Sequence, residues 1–317
     1  MSTGGLALLI AALPFRSRGL TTIGTIVFIF DLFIYFLAKV SEPSYWVAVL
    51  SDLLDGHCES VNILGCIQRY GVPSPGPWLI VALRVLFRIY AACTFLSAGM
   101  TPAWPLPVFP IMLCGTLASL ITGSQPPGHC FAIIVAGVAF QGLGLMISFL
   151  TYPLYLGRLM SCGLPLPNLR PGLFMAVGPP SFNGVALIGS AENLPQTCGY
   201  FAQHPQAIGV LQPLALFLGI ITLLTISKSV RQMSFHLVWW AFVFPNVGFT
   251  LCTIGIGQWL ESDGILWVAT AMGVVLVVIW IVVFVANVKA LLAREIMMPG
   301  RDEDKDEKVD VDHLRQD

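Results

Sequence analysis

The sequence predicts an all-α, polytopic membrane protein of about ten transmembrane helices, and three observations carry that expectation. Charged residues make up only 10% of the 317-residue chain, apolar ones 56%, and the mean hydropathy is +0.81, whereas a soluble domain carries about 25% charge. Apolar stretches near the roughly 20 residues that cross a bilayer recur along the chain. Prolines then fall in alternate stretches: Pro105, Pro107 and Pro110 in the fifth, Pro179 and Pro180 in the seventh, Pro245 in the ninth. A helix broken at membrane depth needs neighbouring helices, side chains or water for its freed carbonyls, so the odd segments are read as lining a wet path and the smoother even ones as facing lipid.

Taken in order, Met1–Pro14 is apolar but too short to span and reads as the second half of a helix, with no basic residue before it as a secretory signal requires. Leu20–Val40 is a full span interrupted only by Asp31. Tyr45–Cys66 has spanning length but carries Asp52, Asp55, His57 and Glu59, each central carboxylate costing about 2.5 kcal/mol or more. Trp78–Ala98 contains Arg84 and Arg88, spaced i,i+4 on one helical face. No charge follows between Ile89 and Gly157 save the imidazole of His129, and SQPPG at 124–128 divides that expanse into Pro105–Thr122 and Phe131–Leu156. Arg170–Ser190 (RPGLFMAVGPPSFNGVALIGS) is broken at its centre. Ile208–Ile226, Leu237–Ile256 and Ile265–Ala286 complete the set, giving a membrane domain over 1–294 and an acidic, disordered tail over 295–317.

Loop charge orients these segments. Arg158 and Arg170 flank the loop after the sixth, Lys228 and Arg231 follow the eighth, Lys289 and Arg294 follow the tenth, and the loops after the fifth, seventh and ninth have neither Lys nor Arg. The positive-inside rule puts the even-numbered ends, the tail and hence both termini in the cytoplasm. Arg16, Arg18 and Arg69 fall on the other side.

The chemistry-bearing residues argue for passage rather than catalysis. The five histidines are scattered, with no HxxxH, and the cysteines show no CxxC spacing, so neither a metal site nor a disulfide framework nor any catalytic cluster is expected. No GxGxxG or GxxxxGK[ST] occurs, which leaves no cofactor or nucleotide site, and no basic patch suits nucleic acid. Gly142 and Gly144 read as helix-packing positions. An integral membrane acyltransferase, the rival from another class, would need a His or Asp cluster at one membrane face. Arg84 is read as an electropositive element that favours an anion, acting by its field because it stands on an outer helix. The path itself is expected along Pro179, Pro180, Ser181, Asn183, Pro245, Asn246 and Thr250, whose dipoles and hydrogen-bonding groups make discrimination among anions loose. Asp31 is the only acid in a confident span and sits on an outer helix, so pH dependence is expected to come from the substrate.

The stretches RPGLFMAVGPPSFNGVALIG, QRYGVPSPGPWLIVALRVLF, VAGVAFQGLG, YLGRLMSCGLPLPNLRPG and WWAFVFPNVGFT resemble the fungal malic acid transport proteins of the tellurite-resistance and dicarboxylate transporter family, which is related to the slow-type anion channels of plants. That resemblance implies five helical hairpins around a quasi-fivefold central pore, with odd helices inside; this chain departs from the family pattern in a truncated first helix and a degenerate third. It implies transport of small organic anions, most of all C4-dicarboxylates such as malate, across a plasma membrane, with sulfite or another inorganic anion as the alternative and a homotrimer as the assembly. It also aligns Phe244 with the family's pore-occluding phenylalanine, beside Pro245, which restricts the geometry of the residue before it.

Overall fold

The computed structural model of the chain describes residues 2–15, 17–40, 57–71, 77–96, 108–162, 167–197, 212–218 and 237–293, with single positions at 203, 206 and 209. Helix α1 (Ser2–Ala12) stops two residues before Pro14, and α2 spans Arg18–Val40. Helix α3 (His57–Cys66) continues into a π turn at Ile67–Gly71, and α4 covers Pro77–Leu96. Helices α5 (Val108–Thr122) and α6 (Pro127–Cys162) form a hairpin. Proline opens α4 and α6 at the first helical position, where its missing N–H is no loss. Two 3-10 segments, Pro167–Val177 and Leu237–Phe242, precede α7 (Gly178–Thr197) and α9 (Phe244–Trp259). Between these lies α8 (212–218), and α10 (Asp263–Leu292) closes the described chain.

The odd helices form a closed ring: α1 packs on α3, α3 on α5, α5 on α7, α7 on α9, and α9 returns to α1. Outside them α2 packs on α1, α4 and α6 on α5, and α10 on α9. Burial follows the same division. Every exposed large hydrophobic that lies within a helix belongs to an even-numbered one, from Ile23 on α2 through Val85 on α4 and Phe149 on α6 to Val275 on α10. Exposed apolar surface on that scale is what lipid, and not water, covers. Helices α2, α6 and α10, together with Arg170–Asn193 and Trp239–Trp259, are long and apolar enough to span a bilayer.

Two expectations change. Helix α6 runs for 36 residues, about 54 Å at 1.5 Å per residue, and so outreaches both the expected Phe131–Leu156 and the hydrocarbon core. The third segment is described only from His57, as a helix of 10 residues, too short to span, that packs between α1 and α5. Of the two glycines in FQGLG, only Gly144 packs closely, against Met112, while Gly142 faces open space. The seam between α5 and α6 instead runs through Gly115 and Gly137, where a Cβ would collide with Gln141 and Ala118 respectively. Pro105, Pro107, most of the eighth segment and the 295–317 tail lie outside the described residues.

Candidate anion path

The two broken helices owe their geometry to proline. At Gly178-Pro179-Pro180 the 3-10 segment becomes α7. Pro180 has no N–H for the Ala176 carbonyl one turn back, and the Tyr152 hydroxyl on α6 donates to that carbonyl at 2.9 Å instead. The same transition occurs at Val243 and Phe244, with Pro245 in the first turn of α9. The two 3-10 arms pack on each other, with the rings of Phe174 and Phe242 5.0 Å apart and edge to face.

Polar residues near these breaks turn to their own helices. Ser181 Oγ donates to the Val177 carbonyl at 2.5 Å, Asn183 Nδ2 to Pro179 at 2.7 Å, Asn246 Nδ2 to Phe242 at 2.8 Å and Thr250 Oγ1 to Asn246 at 2.9 Å. Each of these is a bond to the carbonyl four residues earlier. Pro179, Pro180, Ser181, Asn183, Pro245 and Thr250 are buried and Asn246 is half-buried.

Inside the ring is a cavity of about 70 Å³ to which all five odd helices contribute, ample for water on the scale of one water per 10–15 Å³. Its lining follows helical periodicity: Gly5, Leu8 and Ala12 on α1; Leu113, Thr116 and Leu120 on α5; Phe244, Val247 and Leu251 on α9. Each trio is spaced i, i+3, i+7 along one face. Helix α7 adds Phe182 and Val185, and α3 adds Asn62 with Arg69 seven residues on. Phe244 is therefore a wall residue of the central cavity. It is 7% exposed, and its ring lies 5.2 Å from Phe182 and 5.8 Å, edge to face, from Phe109. Gly5 faces it from α1, where a Cβ would come within 3.6 Å of the ring.

The polar side chains at the cavity are Asn62, Thr116 and Arg69, and the seven prolines and polar residues expected from the sequence are not among its lining. Phe182 lay inside the GPPSFNG stretch but was masked by its polar neighbours. The signal for Asn62 and Arg69 was their seven-residue spacing, about two helical turns.

The chain matches the family described as voltage-dependent anion channel (SLAC1) over residues 1–288. It belongs to that family. Among similar proteins, the malic acid transport protein of Schizosaccharomyces pombe is 32% identical over 96% of this chain and 79% of its own length. A putative malic acid transport protein of the same organism is 30% identical over 96% and 81%. The sulfite efflux pump SSU1 of Trichophyton rubrum is 22% identical over 93% and 90%. No solved structure matches. Membership makes the protein a membrane anion transporter or channel and not an enzyme, and gives the ring and its cavity a task.

Within this anion channel family member, three charged residues on outer helices take distinct positions. Arg84 is half-buried on α4 and Arg88 is exposed; α4 packs on α5 and α3 from outside, so Arg84 does not line the cavity. Asp31, on the outer helix α2, is 3% exposed and receives the Gly4 backbone N–H. A Cβ on Gly4 would lie 2.7 Å from its carboxylate and 2.8 Å from Asn62 Cβ. The acid thus reaches inward behind α1, closer to the cavity wall than its place on an outer helix suggested.

Proposed function

We propose that the protein carries C4-dicarboxylates such as malate across the plasma membrane through the central cavity, with Phe244 as the gate. The observation that carries this reading is a cavity that every inner helix lines, with an aromatic ring across it and polar side chains along one wall. A hydrophobic constriction in a narrow wet path closes it by dewetting, and movement of one ring opens it. The two relatives of 30% identity or more are both named for malic acid transport, which favours the dicarboxylate. Sulfite is the second reading, supported by relatives named as sulfite efflux pumps. Both termini and the 295–317 tail face the cytoplasm in this account, and the assembly is a homotrimer by likeness to the family. The charge of the substrate sets the pH dependence, so flux follows the abundance of the monoanion.

Uptake of labelled malate by vesicles containing the purified chain, competed first by succinate and then by sulfite, tests the reading. Saturable malate uptake suppressed by succinate is expected. Uptake of sulfite with none of malate would transfer the assignment to the inorganic anion, and signal for neither would remove both.

A further inference from the structure

Three features set the α3 and α5 side of the cavity apart. Asn62 on α3 and Arg69 in the π turn that follows it both line the cavity, and Thr116 faces the same space from the neighbouring α5. The opposite side is aliphatic, with Leu8 and Ala12 on α1 and Val247 and Leu251 on α9. An anion entering a space this small loses much of its water, and the aliphatic side returns nothing for it. Among the described lining residues, the side-chain hydrogen-bond donors stand on the α3 and α5 side. Arg69, in the π turn that follows α3, is exposed and lines the end of the cavity marked by Ala12, Leu120 and Leu251, about 10 Å along the helix from the Asn62 turn. Helical side chains lean toward the N-terminus, which from Arg69 is the direction of Asn62. The loop-charge count left Arg69 on the wrong side of the membrane; as a residue of the path, its position answers to the anion and not to topology.

We infer that Arg69, with Thr116 and Asn62 deeper on the same wall, forms the substrate-holding site, the guanidinium taking the carboxylate of the monoanion at the mouth while the amide and hydroxyl take its protonated carboxyl group. This inference rests on the dicarboxylate reading above and assigns its binding residues. A guanidinium presents two parallel N–H donors to a carboxylate, a match a lysine cannot reproduce. Low-dielectric walls around Arg69, the cation among the described lining residues, focus its field and raise the local concentration of anions. Thr116 is suited to exchange partners, since its hydroxyl reaches the Phe182 carbonyl at only 3.3 Å, longer than a good O–H···O bond. Glu192, exposed near the end of α7, lies within electrostatic reach of Arg69. Its carboxylate opposes an incoming anion at the mouth.

The test is the concentration dependence of labelled malate uptake into vesicles by the full chain and its variants, with protein per vesicle quantified. Arg69→Gln should raise KM about tenfold with the maximal rate per protein little changed, Arg69→Lys should raise it less, and Glu192→Gln should lower it about twofold, because a competing charge is removed. High salt should shrink all these differences, as the mouth is open to solvent. An unchanged KM in Arg69→Gln, or a loss confined to maximal rate, overturns the inference. Should Arg69→Gln fail to reach the vesicles, an unchanged KM in Glu192→Gln overturns it equally. Absence of malate uptake by the unaltered chain is a separate result, which removes the dicarboxylate reading itself.

Discussion

On the side of the cavity built by α7 and α9, Ser181, Asn183, Asn246 and Thr250 all donate to a carbonyl of their own helix four residues back. On the side built by α3 and α5, Asn62, Thr116 and Arg69 face the cavity, and Thr116 donates across to another helix. The polar residues beside the proline breaks hold the local backbone, as Thr122 on α5 and Thr253 on α9 also do, whereas the polar side chains among the described lining of the cavity come from α3, its π turn and α5. The broken helices bring Phe182 and Phe244 to the cavity.

The largest expected effect is at the contact that joins the two broken helices. A Cβ on Gly248 would lie 2.8 to 2.9 Å from three carbons of the Phe182 ring, closer than side chains tolerate. Gly248→Ala should cost about 1–3 kcal/mol by overpacking and lower the unfolding temperature in detergent. Next comes the repaired carbonyl: Tyr152→Phe removes the donor to Ala176 and should cost about 1–3 kcal/mol, with no change in substrate affinity. A smaller effect separates the two sides most cleanly. Thr116→Val should alter the ratio of malate to sulfite flux, whereas Asn246→Ala, whose amide serves the Phe242 carbonyl, should leave that ratio unchanged. Equal shifts in both would erase the distinction.

The sequence carried the architecture well, and the reason is physical. Proline placement is a one-dimensional signal of broken inner helices, and the alternation it implied reappears among the described residues as a closed ring of α1, α3, α5, α7 and α9 with lipid-ready surface on the even helices. Phe244 was legible through the family resemblance, supported by the proline that follows it. The polar wall was not. Whether an Asn or Thr turns to its own carbonyl or to a cavity depends on which face of the helix it occupies in the ring, which hydropathy does not report. Arg69, counted among the loop charges, stands in the π turn after α3 and lines the cavity.

The account depends most on the central cavity being the path and Phe244 its closure. Phe244 and Phe242 are two residues apart, yet Phe244 lines the cavity against Phe182, while Phe242 packs on Phe174 and Trp239. Anion flux per folded protein, measured in vesicles for Phe244→Ala and Phe242→Ala side by side, tests this directly. The account predicts that Phe244→Ala raises flux severalfold at unchanged amounts of folded protein and that Phe242→Ala does not. Equal behaviour of the two variants, or a loss of folded protein as the sole effect of Phe244→Ala, would contradict it.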